Sequence, residues 1–191
     1  MAISTSDLAL MGAVASNDAD AQRQLVERLG GRVRRLCRLL CRSRADAEDA
    51  GQLALIEILK SATRFRVEAS LERWTDRITA RTALRLNRRE RSRAQLLERW
   101  LSPGTLPWGT PLQATLGVSA GLDSFLARLP AARREAFVLR HALEYSVDEI
   151  AELTDAPRGT VKDRLVSARK QLKKMVERDA RNLLKREGND D

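Results

Sequence analysis

The chain has little of what catalysis and metal binding are usually built from. Of its 191 residues one is a histidine, His141, and two are cysteines, Cys37 and Cys41. That set offers no metal-site spacing. There is no phosphate loop, no Gly-x-Ser-x-Gly elbow and no plausible triad. A nuclease would need clustered carboxylates or histidines to hold a metal or move protons, and these are missing too. An enzyme is therefore the poorest reading, and neither a cofactor nor a metal is expected. His141, near the end of a predicted helix, is expected to cap or pack. Cys37 and Cys41 lie four apart on a predicted helix. That puts both on one face, yet the helix holds them apart, so no mutual disulfide is expected. Cys37 falls on an apolar stripe and reads as a small buried hydrophobe.

Long apolar runs are absent as well. Nothing approaches the roughly 18 residues of a membrane span, and the first residues, MAISTSDLALMGA, lack the basic start and apolar segment of a secretory signal. A cytoplasmic location is expected. Strand-like alternation is missing throughout, so the expected fold is all-α. What the chain has in excess is positive charge. Lys and Arg number 35 against 26 Asp and Glu, a net charge of +9 with a pI near 10.5. Such a balance points to a polyanionic partner, although a ribosome or an anionic membrane surface would attract it equally. With 43% hydrophobic residues there is enough for a core, in one or two small domains.

The most informative stretch is Ser146 to Leu172, which reads as two short helices joined by a tight turn. Ser146 and Glu149 form a capping-box pair. Val147, Ile150 and Ala151 give one apolar turn. Thr154 and Asp155 break the pattern, and Pro157 suits the first position of a new helix. Val161, Leu165, Ala168, Leu172 and Met175 then make one apolar stripe. At about 100° per residue, Lys162, Asp163, Val166, Ser167, Lys170 and Lys174 project the other way. Lys can bond guanine edges, and an apolar side chain can touch a thymine methyl. Arg158, Thr160, Arg164, Arg169 and Lys173 flank that face and suit phosphates. Most charged helix faces are simply solvated. Here cap, turn, stripe and basic outer face agree on a helix-turn-helix.

Earlier in the chain, a short helix over Asp7 to Ala15 is followed by Asp18 or Asp20 as a cap. Leu25, Leu29, Val33, Leu36 and Leu40 form a long stripe. Gly30 and Gly31 interrupt it, at about 1 kcal/mol each against Ala, and invite a bend. Arg32, Arg34, Arg35, Arg38 and Arg42 mark its exposed face. After a turn at Ser43 to Ala45, a helix starting at Asp46 carries Leu55, Ile56 and Leu59 as its expected buried side. Asp49, Gln52 and Glu57 are candidates for an exposed side suited to a basic partner. Phe65 to Ser70 is a polar break. Trp74, Ile78 and, less regularly, Leu84 then point to a core. Beyond them Arg81, Arg85, Arg88, Arg89, Arg91 and Arg93 stand against Glu90 alone, either a solvated helix end or a phosphate-tracking patch.

Gln95 to Leu101 reads as a further short helix, and Ser102 to Gly121 as a Pro- and Gly-rich linker. Trp100 and Trp108 are unusual for a free linker and suggest that it docks on something. Leu122, Phe125, Leu126 and Leu129 open a second module. Pro130 separates them from a helix bearing Phe137 and Val138, and a charged helical tail follows Lys173.

These residues resemble the extracytoplasmic-function (ECF) group of the bacterial sigma-70 family. The resemblance spans Ala21 to Met175. It rests on DAEDAGQ at Asp46 to Gln52, on Arg64 and Phe65, on Trp74 with Ile78, and on LPAARREAFVLRH at Leu129 to His141. EIAEL, GTVKDRL and SAR complete it. The resemblance implies an RNA polymerase sigma factor, and the partitioning that follows is 1–95 for a region 2-like domain, 96–120 for the linker, 121–178 for a region 4-like domain and 179–191 for a tail. It further implies that Asp49, Gln52 and Ile56 bind core RNA polymerase. Phe65, Arg66, Val67, Glu68, Ala69, Ser70 and Trp74 would handle the melted non-template strand of the minus-10 element, with Arg81, Arg85 and Arg88 beyond them. Arg158, Thr160, Lys162, Asp163, Val166, Ser167, Arg169 and Lys170 would contact the duplex minus-35 element. The implied setting is a bacterial cytoplasm, at the nucleoid when active, and an anti-sigma factor is an expected partner that no residue announces. The chain departs from the family's pattern at Arg81, where Asn is frequent, at Thr75 and Thr79, where apolar or small residues are usual, and at Asp163, where Ser is common. A stand-alone helix-turn-helix regulator is the other reading. It would need a sensor or dimer interface and leaves DAEDAGQ unexplained.

Overall fold

The computed structural model describes residues 5–66, 69–100 and 122–187. The expectations for the linker at 102–121 with Trp108, for Val67 and Glu68, and for the final GNDD lie outside these residues. The chain divides into two units, Met1–Thr110 and Pro111–Asp191. Every regular element among the described residues is helical, as expected.

The first unit contains α1 (Thr5–Ala15), α2 (Ala19–Leu40), α3 (Arg44–Lys60), a 3₁₀ turn at Ala62–Arg64 and α4 (Leu71–Trp100). Asp18 caps α2, its carboxylate accepting from the Asp20 and Ala21 amides at 2.9 Å. The expected stripe of Leu25, Leu29, Val33, Leu36 and Leu40 is buried, with Cys37 among it. The helix runs through Gly30 and Gly31 without interruption. Cys41 is also buried, at the C-cap of α2, and neither cysteine forms a disulfide. Burial pushes the Cys37 thiol up to about 12, which keeps it protonated and unreactive at neutral pH.

Helix α3 corrects the reading of its sequence. It begins at Arg44 rather than Asp46, because Ser43 serves as N-cap and accepts from the Asp46 amide at 3.0 Å. Its buried side is not Leu55, Ile56 and Leu59. Ala47, Ala50, Gly51, Ala54 and Ile58 are buried, Leu55 and Leu59 are half-buried, and Ile56 is 47% exposed. Small residues let neighbouring backbones come close, and so the larger aliphatics are turned outward.

Helix α4 is one element through Trp100, so the short helix expected at Gln95 is its continuation. Leu84 is buried, but Trp74 and Ile78 are only half-buried. Much of the inner face is polar: Thr75, Thr79, Thr82 and Asn87 are buried. Thr75 and Thr79 satisfy their hydroxyls on carbonyls one turn back, at Leu71 (2.7 Å) and Thr75 (2.9 Å). Asn87 donates to the Leu40 carbonyl at the end of α2 (3.0 Å). Earlier along the same pair of helices, Arg28 meets Glu72 at 2.7 Å and Arg32 grips Asp76 through two bonds, 2.7 and 2.6 Å. The residue numbers rise together, so α2 and α4 run side by side in the same direction. Arg28 also reaches Asp7 of α1 at 2.6 Å.

The second unit contains α5 (Leu122–Ala127), α6 (Ala131–His141), α7 (Val147–Thr154) and α8 (Arg158–Glu187). Its core gathers Leu126, Leu129, Val138, Leu139, Tyr145 and Ile150 with Val161, Leu165, Ala168 and Leu172 of α8. Phe125, Phe137 and Met175 are half-buried at its edge. Pro157 precedes the first turn of α8, and its carbonyl accepts from the Val161 amide at 3.1 Å. It therefore sits one position before the place expected for it.

Candidate nucleic-acid interface and docking face

The helix-turn-helix of the second unit is set by caps and by one buried stripe. Ser146 Oγ accepts from the Glu149 amide (3.2 Å), and Glu149 Oε2 accepts from the Ser146 amide (2.8 Å). Both ends of the box are thus closed, which fixes where α7 starts. The helix ends at Asp155, in the left-handed region at φ 52°, ψ 48°, a conformation that Asp tolerates better than most residues. Ile150 is wholly buried behind the turn. Burying a side chain of this size contributes about 1.5–3 kcal/mol. Val161, Leu165, Ala168 and Leu172 lock the inner face of α8 against the unit.

The other side of α8 faces water. Lys162, Asp163, Lys170 and Lys174 are exposed, Ser167 is half-buried, and Val166 is 65% exposed. On the flanks, Thr160 and Arg164 are half-buried. Arg158 is held by Asp148 of α7: its Nε and the Asp148 Oδ1 are paired, and Nη2 donates to Oδ2 at 2.9 Å. Sequence reading missed Asp148, since an acid two residues past a cap is also what a bare helix start favours. Arg169 Nη2 lies 3.4 Å from His141 Nε2, and the His141 ring tilts against Phe137 with centroids 4.4 Å apart. Burial first, then the charges of Arg169 and Arg140, hold the imidazole below its ordinary value. His141 therefore packs against Phe137, one of the two roles expected for it, and lies beside Arg169.

In the first unit, Asp49, Gln52, Leu53 and Ile56 are all exposed on α3. Their spacing of i, i+3, i+4 and i+7 makes one face. Leu53 (45% exposed) was missed in the sequence, although it completes the same spacing with Ile56 (47%). Glu57 is half-buried beside them. Beyond this face the chain turns through Phe65. That side chain is buried and meets the Trp74 ring edge-on, centroids 5.4 Å apart at 74°. Arg66 is exposed and donates back to the Thr63 (2.9 Å) and Phe65 (3.2 Å) carbonyls. Ala69 and Ser70 are half-buried, and Ser70 Oγ caps α4 at the Arg73 amide (3.2 Å). Further along α4, Arg81, Arg85 and Arg88 are exposed. In each unit, then, the described surface pairs a structured helix face with a row of cations and offers no cluster of acid-base groups.

Comparison with known proteins agrees with this division. The family model for sigma-70 region 2 matches residues 25–93, and that for sigma-70 region 4 matches residues 119–172. The chain is similar to the ECF RNA polymerase sigma factor SigM of Mycobacterium tuberculosis (strain H37Rv), 29% identical over 171 residues, covering 90% of this chain and 85% of the relative. It is also similar to the ECF RNA polymerase sigma factor SigW of Bacillus subtilis (strain 168), 25% identical over 175 residues, covering 85% and 92%. Among solved structures the fold resembles CnrH, determined in complex with the cytosolic domain of CnrY (TM-score 0.51, 22% identity, 91% of this chain and 98% of that one). It resembles equally the sigma factor RpoE of Bartonella quintana, determined in complex with the anti-sigma factor NepR (TM-score 0.52, 22% identity, 81% and 96%).

Proposed function

The chain belongs to the ECF group of the sigma-70 family, and on that premise we propose how its two units share the work of an RNA polymerase sigma factor, which directs core polymerase to promoters and helps open them. The second unit lays α8 in the major groove of the minus-35 element. Lys162 and Ser167 bond base edges there, Val166 touches a thymine methyl, and Asp163 accepts from cytosine N4. Arg158, Thr160, Arg169 and Lys170 fix the register on phosphates. The observation that carries this reading is the two-sidedness of α8, buried at Val161, Leu165, Ala168 and Leu172 and open at Lys162, Asp163 and Val166.

The first unit docks on the polymerase through Asp49, Gln52 and Ile56, with Leu53 added. Two exposed aliphatics beside an acid and an amide suit a partner that is basic at its rim and apolar at its centre. The loop from Phe65 to Ser70 receives a base unstacked from the non-template strand, at a cost that pocket contacts offset. The buried Phe65, packed on Trp74, supports that loop, while Arg66, Arg81, Arg85 and Arg88 follow the strand. The chemistry of transcription stays with the polymerase, so the chain itself is non-catalytic. Among the described residues no helix is long and apolar enough to cross a membrane. We place the protein in the bacterial cytoplasm, at the nucleoid when active, and expect an anti-sigma factor to restrain it, as NepR accompanies RpoE.

Reconstitution with core polymerase tests this reading. Asp49→Ala combined with Gln52→Ala weakens core capture and leaves DNA binding by the second unit unchanged. Lys162→Ala alters preference at one base position by about 1–3 kcal/mol, whereas Arg169→Ala weakens all sites alike. A wild-type chain that directs bare polymerase to no initiation site would sink the reading.

A further inference from the structure

The parallel pair α2 and α4 changes character halfway along. In the first half its charges are matched: Arg28 binds Asp7 and Glu72, and Arg32 binds Asp76. In the second half arginines outnumber acids in the sequence. From Val33 to Arg42 there are four arginines and no acid, and from Arg77 to Arg93 seven arginines and one acid, Glu90. Arg34, Arg35 and Arg38 are exposed on α2, and Arg77, Arg81, Arg85 and Arg88 on α4. The bond from Asn87 to Leu40 shows that the two helices are still adjacent at this level, so the two rows lie at the same level of the helix pair. Helices that pack together lie about 8–10 Å apart.

We propose that the outer face of α2 binds the phosphate backbone of duplex DNA through Arg34, Arg35 and Arg38, as a second cationic row beside that of α4. The proposal rests on the promoter-binding function proposed for the chain. Duplex is favoured over single strand by composition. Sites that hold unpaired bases stack them on aromatics, and neither Leu29 to Arg42 nor Arg77 to Arg93 contains Phe, Trp or Tyr. Binding to phosphates needs only the cations, and it displaces condensed counterions from the duplex.

The test uses the full chain assembled with core polymerase, on a promoter duplex, across about 50 to 200 mM salt. Arg34, Arg35 and Arg38 are changed together to Gln in one variant and to Lys in another. The Gln variant is expected to bind the promoter roughly tenfold more weakly at the higher salt. Its plot of log affinity against log salt flattens by about 0.9 for each phosphate no longer neutralised. The Lys variant keeps both affinity and slope. Core capture and helical content, measured alongside, are unchanged in both. If the Gln variant matches the wild type in affinity and slope, the α2 surface does not touch DNA. Weaker capture of core polymerase with an unchanged salt slope would mean that the face meets acidic protein instead, which also overturns the proposal. A wild type that forms no promoter complex is a different failure and would count against the proposed function itself.

Discussion

The two units are held together by different means. The first buries Asp7, Ser61, Thr75, Asp76, Thr79, Thr82 and Asn87 and ties α1, α2 and α4 through Arg28 and Arg32. The second is built around one aliphatic stripe and a capping box, with the buried Arg134 and Glu135 as its charged interior groups. Directional bonds fix angles between helices, whereas an apolar stripe mainly fixes which side of a helix is in. On the proposed function, the first unit has several faces to keep in register and the second has one helix to present.

Ile150→Ala gives the largest expected break in this comparison. The side chain is fully buried behind the helix-turn-helix, and truncation there costs about 2–5 kcal/mol. In calorimetry the transition of the second unit falls steeply while that of the first stays in place. A common shift of both would show that the units do not melt independently.

Asp76→Ala probes the other kind of cement and should cost less, about 1–2 kcal/mol. Its carboxylate takes two charge-assisted bonds, but Arg32 is half in solvent, which screens the pair. The loss should appear in the first unit's transition and shrink with added salt. The Ile150→Ala penalty should be indifferent to salt. A salt-independent Asp76→Ala effect would assign the damage to packing.

The same contrast explains what could be read in advance. The stripes of α2 and α8 were legible because large aliphatics recur at the helical period. The outer face of α8 followed as their complement. In α3 that rule chose the wrong side. Ala47, Ala50, Gly51 and Ala54 are buried, and Leu53 and Ile56 are left outside. In α4, Thr75 and Thr79 hide their polarity on their own helix's carbonyls, so no apolar pattern marks the face. The clasps at Glu72 and Asp76 join residues 44 apart in sequence, a distance over which local pattern is silent. Asp148 with Arg158, and His141 with Arg169, were hidden for the same reason: each names a partner in another helix.

His141 carries the smallest prediction, one that sharpens the comparison because the effect belongs to the second unit alone. Its folded value lies below the ordinary 6.5, through burial first and then through Arg169 of α8 and Arg140 of its own helix. A lowered base binds its proton less readily folded than unfolded. Its favourable contribution is therefore complete above about pH 6.5 and is lost as pH falls through the folded value. The residue is exposed, so screening keeps the effect modest. Between about pH 7.5 and pH 5 the denaturant midpoint of the second unit should fall further in the wild type than in a His141→Gln variant, which removes the titration and keeps an acceptor for Arg169. Equal losses in the two proteins would mean that protonation of this imidazole is not felt by the fold.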